Sequence, residues 1–163
     1  MALHFTTANR TRYDTDGVVW CVDFRSLVSV LPDKLRDKLT RERANGFSVE
    51  MLNDVCPSLD EFDQLKGGND FVAFFEPPSI DSRIVNQFAF FSVMSNPRTE
   101  LNDWLSGYPS LYRRLIIPKE LKWEIRDKLD QANITERVMF PGLDGLCQWL
   151  GRWYSSKEEA CTV

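Results

Sequence analysis

Arg114-Leu115-Ile116-Ile117-Pro118-Lys119-Glu120-Leu121-Lys122-Trp123-Glu124-Ile125 changes its hydrophobic period at Pro118, and that change decides the fold class. Arg114 to Ile117 is a short run of branched apolar residues, the composition of a strand. Pro118 cannot donate to a sheet ladder, but its fixed φ suits the first turn of a helix. Beyond it, Leu121, Ile125 and Leu129 recur every fourth residue, and Asn133 stands where a left-handed residue closes a helix. A strand that hands over to a helix across one proline reads as part of an α+β chain.

The same reading extends outward. Val18 to Phe24 predicts a strand apolar on both faces, which belongs in the middle of a covered sheet. Phe71 to Phe75, stopped by Pro77-Pro78, and Phe88 to Val93 predict two more, and Val138 to Phe140 a last one. Pro32 to Thr40 predicts a short helix, and Arg41 to Gly68 reads as short helices and loops. Leu143, Leu146, Cys147 and Leu150 mark the apolar stripe of a final helix. Residues 1–7 carry neither a helix-start nor a strand-start signal. The expected fold is α+β, a mixed or antiparallel central sheet with flanking helices, in one domain over residues 1–154 with a frayed tail at 155–163.

Composition narrows the function classes. The 163 residues are 43% apolar and 27% charged, so a core is affordable and disorder is not expected. A net charge of −4 argues against a broad basic field for nucleic acid. No apolar run approaches the ~20 residues of a membrane span, so no membrane partner is expected. The start of the chain lacks the basic flank and long apolar run of a secretory signal. Cys21, Cys56, Cys147 and Cys161 are widely spaced, without a Cys-x-x-Cys pair. They read as reduced thiols of a cytoplasmic protein.

The single histidine, His4, removes the two-His zinc sites, and no metal is expected. Beside Leu3 and Phe5 it reads as an interface or core-edge residue. The arginine pairs Arg10/Arg12 and Arg113/Arg114 are of the type that meets an anion through bidentate guanidinium contacts, and the acidic pairs Asp60-Glu61 and Glu158-Glu159 read as solvated faces. The most suggestive stretch is Asp81-Ser82-Arg83-Ile84-Val85-Asn86-Gln87-Phe88-Ala89-Phe90-Phe91. It delivers Arg83, Asn86 and Gln87 at the mouth of an aromatic strand, the way a ligand pocket acquires its few orienting groups. The competing assignment is structural: Arg83 pairs a carboxylate and Gln87 bonds backbone.

That stretch resembles the Asn-x-Arg-Ile-x-x-Gln-x-Gly-x-Phe signature of the FRG domain, a bacterial and phage family, through Asp81, Arg83, Ile84, Gln87, Ala89 and Phe91. Leu115-Ile116-Ile117-Pro118 and Met139-Phe140-Pro141-Gly142-Leu143-Asp144-Gly145-Leu146 resemble that family's C-terminal half. Asp16-Gly17-Val18-Val19-Trp20-Cys21-Val22-Asp23 is similar to its central strand and Ala2-Leu3-His4-Phe5 to a helix end. The chain departs at Asp81, where the family has Asn, and at Ala89, where it has Gly. The family's Phe/Tyr-x-Arg-Gly motif would precede Met1, so the domain is expected to be N-terminally incomplete. The resemblance implies an ADP-ribosyltransferase-like fold and handling of NAD, in the setting of phage–host conflict. It puts Gln87 in the catalytic position near the nicotinamide ribose, with Arg83, Asn86 and Phe88 binding substrate. A neutral Gln87 orients a ribose hydroxyl but stabilises little of the charge that develops as the glycosidic bond breaks, so the isolated chain is expected to be inactive. A homodimer or a second polypeptide would complete the fold. The rival expectation is a non-catalytic interaction module using Leu3, Phe5 and the Phe88–Phe91 aromatics.

Overall fold

The structure, a computed structural model, describes residues 1–9 and 12–155. Among these the chain order is α1 (Ala2–Ala8), β1 (Gly17–Val22), α2 (Asp33–Glu42), β2 (Phe47–Ser48), α3 (Val49–Val55), α4 (Leu59–Gln64), β3 (Val72–Glu76), α5 (Ser82–Asn86), β4 (Phe91–Met94), α6 (Leu101–Ser106), β5 (Tyr112–Ile117), α7 (Lys122–Gln131), α8 (Glu136–Met139) and α9 (Leu143–Tyr154). The architecture is α+β. The elements divide between two compact units of interleaved sequence. One takes Met1–Cys21, Ser79–Phe88 and the chain from Arg114 on; the other takes Val22–Pro78 and Ala89–Arg113.

The second unit is built on an apolar core. β2 pairs parallel with β3, Phe47 opposite Phe75, and β3 pairs antiparallel with β4, from Val72 opposite Met94 to Phe75 opposite Phe91. Phe71, Val72 and Ala73 are buried with Leu27, Leu31, Leu35, Leu39, Phe47, Phe62 and Leu105. Leu35 and Leu39 are one helical turn apart on α2, which is why that short helix holds to the sheet. Asp70 closes the entry to β3: its carboxylate accepts from Asn96 at 2.9 Å and Thr99 at 2.7 Å, and its carbonyl from the Trp104 indole at 2.8 Å. Those two side-chain bonds hold the Asp70 carboxyl below its ordinary pKa.

The first unit packs α1 against α7, α8 against α9 and α5 against α8. It also contains the greater part of β1 and β5, which pair with each other. Its interior is polar. His4, Thr7, Lys122, Arg126, Thr135 and Glu136 are all buried there, beside Tyr13, Leu129 and Met139.

Several expectations change on contact with the structure. The single central sheet is instead one two-stranded and one three-stranded sheet. The strand with two apolar faces, β1, is not covered on both: Val18 and Trp20 are exposed. Residues 2–8 are helical although no start signal precedes them. Their inward face is carried by His4 and Thr7, and the Thr6 and Thr7 hydroxyls donate back to the Leu3 carbonyl. Val138 to Met139 belong to a helix rather than a strand, because the left-handed Asn133 (φ 57°) ends α7 and Thr135 accepts the Met139 N–H at 2.9 Å to start α8. The strand expected from Phe88 begins only at Phe91, since Phe88 sits at φ 48° and cannot be extended. The frayed tail lies, beyond Ser155, outside the described residues, as do Arg10, the Glu158-Glu159 pair and Cys161.

Candidate functional site

The stretch singled out by sequence folds as α5 and its two flanks. Asp81 caps the helix, its Oδ1 accepting the Arg83 N–H at 2.7 Å, and the same carboxylate takes the Arg83 guanidinium at 3.3 Å. These hydrogen bonds lower the Asp81 pKa from its ordinary value. The ion pair is exposed on both sides and adds little stability.

Asn86 and Gln87 turn the other way. The Asn86 amide donates to the Val138 carbonyl and the Gln87 amide to the Met139 carbonyl, each at 2.9 Å. Consecutive amides therefore hold two consecutive carbonyls at the end of α8, groups that a helix terminus leaves without internal partners. Phe88 follows in the left-handed region with its ring 82% exposed. Of the four residues, Asn86 and Gln87 come together on α8, Arg83 pairs within its own turn, and Phe88 points to solvent. The partners of Arg83 and Gln87 are those of the structural assignment.

A second constellation, absent from the sequence reading, lies in the same unit. His4 is fully buried, not at a core edge. Its Nδ1 lies 2.8 Å from the Arg126 guanidinium, which can only donate, so Nδ1 accepts and the proton resides on Nε2. Burial first, and the Arg126 cation second, push the His4 pKa down. Arg126 also donates to Asp130 at 3.2 Å and to the Ile134 carbonyl. Arg152 reaches in from α9 and grips two carboxylates, Asp130 at 2.7 Å through both terminal nitrogens and Glu136 at 2.6 and 2.9 Å. Burial, the largest single influence, would raise the Glu136 pKa, yet the Arg152 hydrogen bonds, a backbone N–H and the Arg152 and Arg126 charges together hold the carboxyl below its ordinary value. A cavity of about 560 Å³ lies beside the cluster, lined by His4, Glu136, Phe140, Gln148 and Arg152. Three buried polar atoms, His4 Nε2, Arg126 Nε and Thr135 Oγ1, have no hydrogen-bond partner among the described residues.

Sequence reasoning missed this cluster because its members are scattered along the chain and individually ordinary. The one usable signal was spacing: Arg126 and Asp130 are one helical turn apart on α7, on the face that also carries Lys122.

The final helix also behaves differently from its sequence. Leu143, Leu146, Leu150 and Trp153 form a stripe at helical spacing, but the stripe is exposed, Leu143 by 78%. The buried face of α9 is carried by Gly145, where a Cβ would meet the Phe140 carbonyl oxygen at 1.9 Å and that of Glu136 at 2.7 Å.

Among the described residues no group of three or more His, Cys, Asp or Glu is placed to hold a metal ion, and no helix is long and apolar enough to cross a membrane. Cys21, Cys56 and Cys147 are free thiols among the described residues. No family model, curated protein or solved structure matches this chain.

Proposed function

We propose that this chain is an FRG-like domain related to ADP-ribosyltransferases, and that it handles a nucleotide of the NAD type. One observation supports the reading. The two stretches on which the resemblance rests most heavily, Arg83–Gln87 and Met139–Leu146, are hydrogen-bonded neighbours although Gln87 and Met139 are 52 residues apart in sequence. The signature glutamine then has a physical task. Its amide nitrogen is committed to the Met139 carbonyl, and its amide oxygen is the group left to accept from a ribose hydroxyl. Gln87 is accordingly a positioning residue, and a cation for the pyrophosphate comes from elsewhere on this chain or from a second polypeptide.

Calorimetry with NAD tests the proposal, on the chain alone and mixed with a polypeptide carrying a Phe/Tyr-x-Arg-Gly motif. Heat of binding in either sample is expected; no heat and no thermal shift in both would remove the nucleotide from the reading.

The exposed stripe Leu143–Leu146–Leu150–Trp153 favours a second reading, a module that docks a protein partner. A chain that sediments as a monomer at high concentration and binds no hydrophobic dye argues against it.

A further inference from the structure

The first unit holds a second cavity, of about 500 Å³, walled by α1, by Asn9, Arg12, Thr15 and Asp16, and by the start of β1. Its floor carries the Lys122 side chain. Lys122 is 2% exposed, and its ammonium donates to the Arg12 carbonyl at 2.7 Å and lies 5.7 Å from the centre of the Tyr13 ring. Among the described residues no carboxylate lies within ion-pair range of it. A buried ammonium with one neutral acceptor leaves two donors and a full charge poorly compensated, which is costly unless an anion supplies the balance. Gly17 lies beside Lys122: a Cβ there would press on Thr6 Cβ at 3.1 Å and stand in ordinary contact with Lys122 Cε at 3.5 Å.

The rest of the wall divides by chemistry. Arg12 adds a second, exposed cation, and Thr6, Asn9 and Thr15 add hydrogen-bonding groups. Phe5 and Trp20 supply a flat apolar side. Asp16 also lines the cavity, but its Oδ1 is taken by the Lys119 backbone N–H at 2.9 Å. A volume of this size, lined by two cations and by two aromatic side chains, suits a small ligand that carries both an anionic group and a flat apolar part.

We infer that this cavity binds a phosphorylated ligand, its phosphate on Lys122 and Arg12 and its organic part along Phe5 and Trp20. The assignment of that ligand as a nucleotide rests on the FRG-like reading; the phosphate site rests on Lys122 alone. Nothing in the sequence marked Lys122, because a lysine in the first turn of an amphipathic helix ordinarily faces water.

The test is titration of the full chain with AMP, ADP-ribose, NAD and inorganic pyrophosphate, read by calorimetry and by tryptophan fluorescence. Binding is expected, with a fluorescence change that disappears in Trp20→Phe. Arg12→Ala should weaken affinity about tenfold, as expected for one charged contact at a partly exposed site. Lys122→Met, which keeps the buried stem and removes the charge, should abolish binding while the ligand-free protein melts no lower than the parent. Should Lys122→Met fail to fold, the Arg12 and Trp20 variants still decide the matter. Nucleotides that bind equally well to Arg12→Ala and Trp20→Phe overturn the cavity and leave the nucleotide reading intact. Pyrophosphate that binds and is lost in Lys122→Met, with no nucleotide binding, overturns the nucleotide reading and keeps the site. No binding of any probe overturns both.

Discussion

Arg152 engages one buried and one half-buried carboxylate at once, and the consequence of removing it follows from what stays behind. Arg152→Ala leaves Asp130 and Glu136 enclosed with only the more distant Arg126 as counter-charge. The expected loss is about 3–5 kcal/mol, read from chemical denaturation. A variant of Arg152→Ala that also carries Asp130→Asn and Glu136→Gln should recover part of it. Gln87→Glu makes a sharper point about a single amide. It replaces the N–H aimed at the Met139 carbonyl with a carboxylate oxygen facing another acceptor, so it should destabilise by about 1–3 kcal/mol. Gln87→Glu with unchanged stability would remove the clamp from the account. These polar assignments were only half legible in the sequence. Arg83 and Gln87 were identifiable as residues that would find partners, but nothing in the sequence singled out Arg126, Arg152 or Glu136. Burial of a charge depends on which distant carboxylate arrives beside it, and local sequence does not encode that.

At the scale of elements, the helices with apolar periodicity were the most readable. The left-handed stop at Asn133 stands as expected, and the strand ends at Pro118, although that proline is extended and a 3-10 turn, Lys119–Leu121, separates it from α7. Where the reading failed, polar residues had taken over a buried face. α1 escaped notice because His4 and Thr7 do the packing that Leu would normally do. On α9 the period was right and the face was wrong: the leucines look outward, and the small side at Gly145 lets the helix sit against the Phe140 and Glu136 carbonyls. Gly145→Ala therefore meets rigid backbone rather than a movable side chain. The expected cost is about 3 kcal/mol, at the upper end for overpacking. Gly151→Ala, on the same helix with open space around it, should leave the melting temperature unchanged or raise it. Equal effects from both substitutions would contradict the close approach.

Across the whole molecule, acid sensitivity is the property these groups determine together. His4 is held below its ordinary 6.5 by burial and Arg126. As pH falls through 6.5 the unfolded chain takes up a proton that the folded chain refuses, so stability declines until the lowered folded pKa is passed. Glu136, also held low, adds a second decline that begins as pH falls below 4.5. Melting temperature should thus be flat from about pH 8 to about pH 7 and fall below it. In His4→Asn, whose side-chain oxygen can still accept from Arg126, the first decline should vanish while the second persists. A parent and variant with superimposable profiles would mean that His4 does not titrate against folding.

The interleaving of the two units also has a bearing on how the protein is made. α1 leaves the ribosome well before its partner: the helix it packs on, α7, lies more than a hundred residues later, and α8, which α5 needs, is later still. During synthesis the second unit has all of its chain once residue 113 is out. Meanwhile α1 and α5 must wait, with the Arg126 contact of His4 and the α8 carbonyls that Asn86 and Gln87 bond not yet made. Nascent chains halted at that length should present these two segments to a holding chaperone and let go of them only when translation resumes.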